Sequence, residues 1–188
     1  MKSEKTKEKI IKHTIELIQK SDGNPEDITM RRIAERAEVG VGLINHYFRS
    51  KDDLIEVCIQ SIISEVIYSF RPGLSDNSDP LEMTKAVAKQ VMDFLMENKQ
   101  ISKISILGDL KQPEVMDNTM KTVRGFANSL SGGTVESRHV LNSFMITAVL
   151  QEAFLRKEIL KDCLGVDFNN KEQRDNFIDS IIERFGGT

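Results

Sequence analysis

Thr29–Lys51, TMRRIAERAEVGVGLINHYFRSK, is the stretch on which the fold turns, because it sets two short helical patterns either side of a corner. Met30, Ile33, Ala34 and Ala37 recur at helical spacing and stripe one face with apolar side chains. Thr29 stands where an N-cap belongs, with a hydroxyl able to accept an orphan amide proton. The stripe breaks at Glu38-Val39-Gly40, and a second helix follows in which Ile44 and Phe48 face the same side. Val39 suits a plug in the corner. The second helix then leaves Val41, Gly42, Leu43, Asn45, His46 and Tyr47 outward, a poor surface for solubility alone but one that suits a DNA major groove. The pattern reads as a helix-turn-helix.

At these residues the chain resembles the tetracycline-repressor (TetR) family of bacterial regulators. Thr29, Ile33, Ala34, Ala37, Val39, Gly42, Tyr47, Phe48, Ser50, Lys51 and Leu54 fall in one ungapped register with the family pattern. Three positions depart: Glu38 replaces the usual Gly of the turn, Gly40 the usual Ser and Asn45 the usual Tyr. The resemblance implies that Thr29, Tyr47 and Lys51 meet phosphate oxygens. It sets Val41, Gly42, Leu43, Asn45 and His46 against base edges, with Arg31 able to do either and Arg32 beside it. It covers about the first quarter of the chain.

Composition sets the wider bounds. A chain of 188 residues, 39% hydrophobic and 29% charged, with four prolines and no tryptophan, is long enough to bury a core and rich in helix formers. No apolar run approaches the length of a membrane span, and the lysine-rich start lacks the apolar segment of a signal peptide, so a cytoplasmic protein is expected. The net charge of −3 hides an asymmetry. Residues 1–51 carry eleven Lys and Arg against eight Asp and Glu, or +3, which leaves −6 for the remainder. Cys58 and Cys163 lack C-x-x-C spacing and read as buried structural thiols.

The rest of the chain reads as helices. Ile10, Ile11, Thr14, Leu17 and Ile18 stripe a first helix that ends at the breakers Ser21–Pro25, completing a three-helix head. Ser50 and Asp53 form a capping-box pattern for a long helix from Lys51 to Phe70, stopped by Arg71-Pro72-Gly73 and followed by a loop to Asp79. Asp79-Pro80-Leu81-Glu82 opens a helix to about Asn98, a shorter one covers Ile101–Gly108, and Pro113 opens another that places Val115, Met116, Met120, Val123 and Phe126 on one face. Broad apolar faces mark Val135–Arg156 and a last helix near Asn170–Phe185. The expected fold is all-α with about nine helices: a helix-turn-helix DNA-binding domain at 1–50 and a helical effector-binding and dimerisation domain at 51–188.

No G-x-S-x-G, H-E-x-x-H, Walker loop or C-x-x-C pair anchors an enzymatic reading, and no metal or cofactor is expected. The resemblance implies a homodimeric regulator, a repressor, that binds a palindromic operator in double-stranded DNA and is released by a small apolar or aromatic effector. It also implies that the last two broad helices pair across the dimer, where Ile178 and Ile182 would sit. Met83, Met92, Met96, Met116, Met120, Phe126, Phe144 and Met145 are the candidate pocket, since methionine adapts its shape to irregular ligands. The competing reading is a helical protein-interaction module that keeps the head without binding DNA specifically. Glu38 and the net acidity favour that module; Arg31, Arg32, Arg36, Arg49 and Lys51 favour DNA.

Overall fold

Apolar residues spaced three and four apart along Lys2–Gln19 make this segment α1, with Ile10 and Ile18 wholly buried and Thr14 returning its hydroxyl proton to the Ile10 carbonyl at 2.8 Å. The computed structural model describes residues 2–69 and 79–186, with positions 2, 25 and 63–69 described as backbone only. Among them are ten α-helices: α1, then α2 (Met30–Arg36), α3 (Val41–Tyr47), α4 (Lys51–Ser69), α5 (Pro80–Glu97), α6 (Lys99–Lys111), α7 (Asn118–Ser131), α8 (Ser137–Leu155), α9 (Lys157–Leu164) and α10 (Lys171–Gly186). A 3-10 turn at Pro25–Asp27 leads into α2. No helix among the described residues is long and apolar enough to cross a membrane. Phe70, the Arg71-Pro72-Gly73 stop and the loop up to residue 78 lie outside the described residues.

The chain divides into two packed units. The first holds residues 1–69 together with Asn98–Ser105. Its core joins Ile10 and Ile18 of α1, Ile33 and Ala34 of α2, Ile44 of α3, Phe48, Leu54, Ile55, Cys58 and Ile59, with Ile101 and Ile104 added from the start of α6. Cys58 is buried as expected, and burial pushes its thiol up to about 12. Cys163 is not: its side chain lies exposed near the end of α9.

The second unit packs α5, α7, α8 and α10 around Ala88, Met92, Phe126, Ile146, Leu150, Phe154, Phe168, Ile178 and Ile182. Ile178 and Ile182 have no exposure, so they belong to this protomer's own core and are not free to form a subunit interface. The pairing of α5 with α10 is keyed by charge. Lys85 reaches Glu183 at 2.8 Å, Lys89 reaches Asp179 at 2.7 Å, and Asp93 accepts from Lys171 at 2.7 Å and from Arg174. Residues 85, 89 and 93 descend one face of α5 at single-turn spacing while their partners descend in number along α10, as antiparallel helices require. The sign reverses at the last step, so a one-turn slip would set like charges together.

Local chemistry explains the helix ends. Asp79 accepts from the Glu82 amide at 3.3 Å, and Asn170 from the Gln173 amide at 3.2 Å, both as N-caps. The start of α7 departs from the Pro113 expectation. Asp117 accepts from the Met120 amide at 2.7 Å and from the Glu114 amide at 3.0 Å, holding residues 114–117 as a turn outside the helix. Val115 and Met116 are consequently exposed, at 78% and 63%, instead of joining the apolar face. Helix α9, absent from the sequence expectation, follows α8 with Arg156 serving as the C-cap of one and the N-cap of the other, and Gly165 ends it at φ +68.

Candidate nucleic-acid interface

Thr29 accepts from the Arg32 amide at 3.2 Å and so caps α2. Capping uses one lone pair of the hydroxyl and leaves its proton free to donate outward. Past α2, the Val39 amide donates to the Ala34 carbonyl at 2.9 Å, which closes the corner. Glu38 makes that corner with φ at +52, the one non-glycine residue with positive φ among those described. The chain there adopts a conformation suited to glycine.

The second helix of the motif, α3, starts at Gly40, which offers no side-chain cap, and is anchored through Ile44, the buried residue among its seven. Phe48 follows as the C-cap, 2% exposed, its amide donating to the Ile44 carbonyl at 2.9 Å. Ile44 and Phe48 therefore hold one side of the helix down. Val41 and Leu43 stand 39% exposed, and Gly42, Asn45 and His46 are exposed beside them. Tyr47 is half-buried; its hydroxyl lies 3.0 Å from Ser3 Oγ, and its ring meets His46 edge-on at 5.3 Å between centroids. The face singled out from the sequence is thus assembled on one short helix.

Basic residues surround this face. Arg31 is exposed, while Arg32 spends its guanidinium on the Asp27 carbonyl at 2.5 Å and braces the approach to α2. Arg36 reaches Glu16 at 3.5 Å. Lys51 begins α4 directly after the motif, and Ser50 caps that helix by accepting from the Asp53 amide at 3.1 Å. The capping box closes one residue early: the Asp53 carboxylate accepts from the Arg49 amide at 3.0 Å.

Residues 10–58 match the bacterial regulatory proteins of the tetR family. That segment is a tetR-type helix-turn-helix domain. Among curated relatives it is similar to an uncharacterized HTH-type transcriptional regulator of Haemophilus influenzae, 27% identical over 101 residues, 54% of this chain and 51% of that one. It is also similar to the HTH-type transcriptional regulator BetI 1 of Chromohalobacter salexigens, 33% identical over 95 residues, 50% of this chain and 46% of that one. The chain thus spans about half the length of these curated relatives. Solved structures extend the likeness in fold. A transcriptional regulator from Rhodococcus sp. RHA1 superposes with a TM-score of 0.65 at 15% identity, covering 95% of each chain. A TetR-family regulator from Streptomyces coelicolor gives 0.60 at 17% identity, covering 97% of this chain and 79% of that one.

The second unit contains a cavity of about 600 Å³ among α6, α7, α8, α9 and α10. Its walls are apolar, including Ile106, Leu110, Ala148, Val149, Leu160 and Phe177, with one polar corner. There Gln151 donates to Thr119 Oγ1 at 3.0 Å, and Asp109 accepts from the Thr119 amide and hydroxyl, each at 2.8 Å. Glu152 and Arg156, paired with each other, stand at its rim. Of the eight methionine and phenylalanine positions singled out from the sequence, Phe144 lines this cavity, 51% exposed. Met92 and Phe126 are sealed in the core of the unit, Met83, Met96, Met120 and Met145 are partly buried, and Met116 is exposed ahead of α7. Thr119, Gln151 and Phe177 carried no sequence signal for a pocket; their convergence is a matter of tertiary packing.

Proposed function

We propose that this protein is a homodimeric, ligand-responsive DNA-binding regulator, a repressor, in which residues 1–50 read a palindromic operator and residues 51–188 bind an effector and a second copy. The observation that carries this reading is the α3 face: Val41, Gly42, Leu43, Asn45 and His46 exposed side by side on a helix held down by Ile44 and Phe48. In this reading His46 and Asn45 supply the hydrogen-bonding groups that sequence discrimination needs, and Val41 and Leu43 pack on thymine methyls. Thr29, Tyr47 and Lys51 hold phosphates and so fix register without choosing sequence. Arg31 is available for either task, and Arg32 supports the same edge.

Two heads in a symmetric dimer would meet half-sites about one helical turn, roughly 10 bp, or a multiple of it apart. The exposed strip Val140, Leu141 and Phe144 on α8, 40%, 59% and 51% exposed, supplies an apolar surface for the subunit contact. The cavity is the effector site. Its volume falls within the range of small-molecule pockets, and its apolar walls with a single Thr119–Gln151 corner suit an apolar or aromatic compound bearing one hydrogen-bonding group. An effector that lowers operator affinity tenfold needs a coupling of about 1.4 kcal/mol, and operator must weaken effector binding by the same factor.

Two variants test the reading. Lys51→Ala should weaken every duplex alike and flatten the salt slope by about one unit, whereas His46→Ala should cost roughly 1 to 3 kcal/mol at particular base positions. Binding-site selection with the His46→Ala protein should return an altered preference. Recovery of the wild-type preference would show that His46 does not read bases.

A further inference from the structure

Glu38 occupies a position its backbone disfavours, with φ at +52, and it gains no packing there, because 82% of its side chain is exposed. What the side chain does is make an ion pair. Its carboxylate accepts from Lys9 Nζ of α1 at 2.9 Å, and that contact holds its pKa below the ordinary glutamate value. An exposed pair of this kind adds little to stability, so folding gives no reason to keep a glutamate in a glycine conformation. Position supplies one. Glu38 lies two residues before Gly40, where α3 begins, at the corner from which the recognition helix is presented. A negative charge there faces the same polyanion that Thr29, Tyr47 and Lys51 are proposed to grip.

We infer that Glu38 is an electrostatic brake on DNA binding: it withholds Lys9 from the phosphate backbone and sets the protein's sequence-independent affinity low. This rests on the DNA-binding reading above. Sequence-independent affinity comes from cations that displace condensed counterions, and each one withheld lowers affinity and removes about one unit from the salt slope. Base contacts through α3 are untouched, so the ratio of operator to random-duplex affinity stays the same while both fall. The eleven Lys and Arg of residues 1–51 therefore overstate the cations that reach DNA.

A double-mutant cycle on the full-length protein tests this, with binding to a selected operator and to a random duplex measured at 50 and 200 mM salt. Glu38→Gln removes the charge and keeps the strained backbone; Glu38→Gly removes both. Each should bind both duplexes more tightly at low salt, and by the same factor. Each should also show a steeper salt dependence, an additional fall of about 3.5-fold across that fourfold change in salt. In a Lys9→Ala background, the added salt dependence should vanish. An unchanged salt slope in Glu38→Gln, or an equal gain with and without Lys9, would overturn the brake. A gain in Glu38→Gly alone would assign the effect to the backbone instead of the charge. If the wild-type protein gave no salt-dependent binding to either duplex, the DNA-binding reading itself would fall, a result distinct from failure of the cycle.

Discussion

Truncating Ile44 tests how the recognition helix is held. Helix α3 has seven residues, too few to be stable by itself, and it has no side-chain N-cap. Its position therefore depends on Ile44, which has no exposure, and on Phe48 beyond its end. Ile44→Ala deletes three carbons from a sealed site. At about 0.8 kcal/mol per buried carbon the transfer loss is roughly 2.4 kcal/mol, and the residual cavity raises the expected cost to about 3 kcal/mol. Ile44→Val deletes one carbon and should cost about 1 kcal/mol. Native-state hydrogen exchange over residues 41–48 is the assay, because it reads local opening where whole-chain denaturation mixes two packed units. Protection of that peptide should fall by about two orders of magnitude in the alanine variant and by under one in the valine variant. Loss of less than about 1 kcal/mol for Ile44→Ala would show that α3 is not anchored through this side chain.

Other expectations follow from single positions. A Cβ at Gly40 meets nothing within 4 Å and φ there is ordinary, so Gly40→Ser should stabilise α3 by several tenths of a kcal/mol, measured by the same hydrogen exchange over residues 41–48. Gly42→Ala also has open space and sits inside a helix, so it should stabilise the free protein by about 0.5 to 1 kcal/mol while weakening operator binding, where the added methyl meets the base edges; tighter binding would place Gly42 away from DNA. Burial opposes the charge on Asp93, but the bonds from Lys171 and Arg174 win and hold its pKa below the ordinary aspartate value. Its folded pKa being the lower, Asp93 contributes stability that is complete above the ordinary aspartate value and is lost as pH falls through the folded one; Asp93→Asn should flatten that acid limb in denaturation measured at successive pH values. Replacing Leu141 and Phe144 by Glu should give monomers by light scattering with helicity retained, and a persisting dimer would move the interface off this strip.

The head was legible because its signals are local. Ile33, Ala34 and Ala37 at helical spacing, the Thr29 cap and the Ile44–Phe48 pair each depend on residues a few positions apart, and each is where the sequence placed it. The start of α7 was misread because Pro113 is a generic helix opener, whereas Asp117 ties down residues 114–117 and sets the boundary. Helix α9 was hidden because Arg156 serves as a cap for both neighbours with no glycine or proline between them. Ile178 and Ile182 illustrate a deeper limit: an apolar face reads the same whether it meets its own chain or a second copy, and here its own chain covers it. The cavity draws its lining from five helices, and no spacing rule joins Ile106 to Thr119, Gln151 and Phe177. Glu38 was visible as a departure from the family pattern, but its positive φ and its bond to Lys9 needed coordinates.

The most direct test of the central claim is equilibrium binding of the full-length protein to the duplex that it selects from a random library, measured at 50 and 200 mM salt. Phosphate neutralisation by Lys51 and its neighbours requires affinity to fall steeply over that interval, and a symmetric assembly of two heads requires the selected duplex to be an inverted repeat. Enrichment of such a repeat, bound at least about tenfold more weakly at the higher salt, is the expected result. No enriched sequence and an affinity indifferent to salt would contradict the account and leave the head as a protein-interaction module.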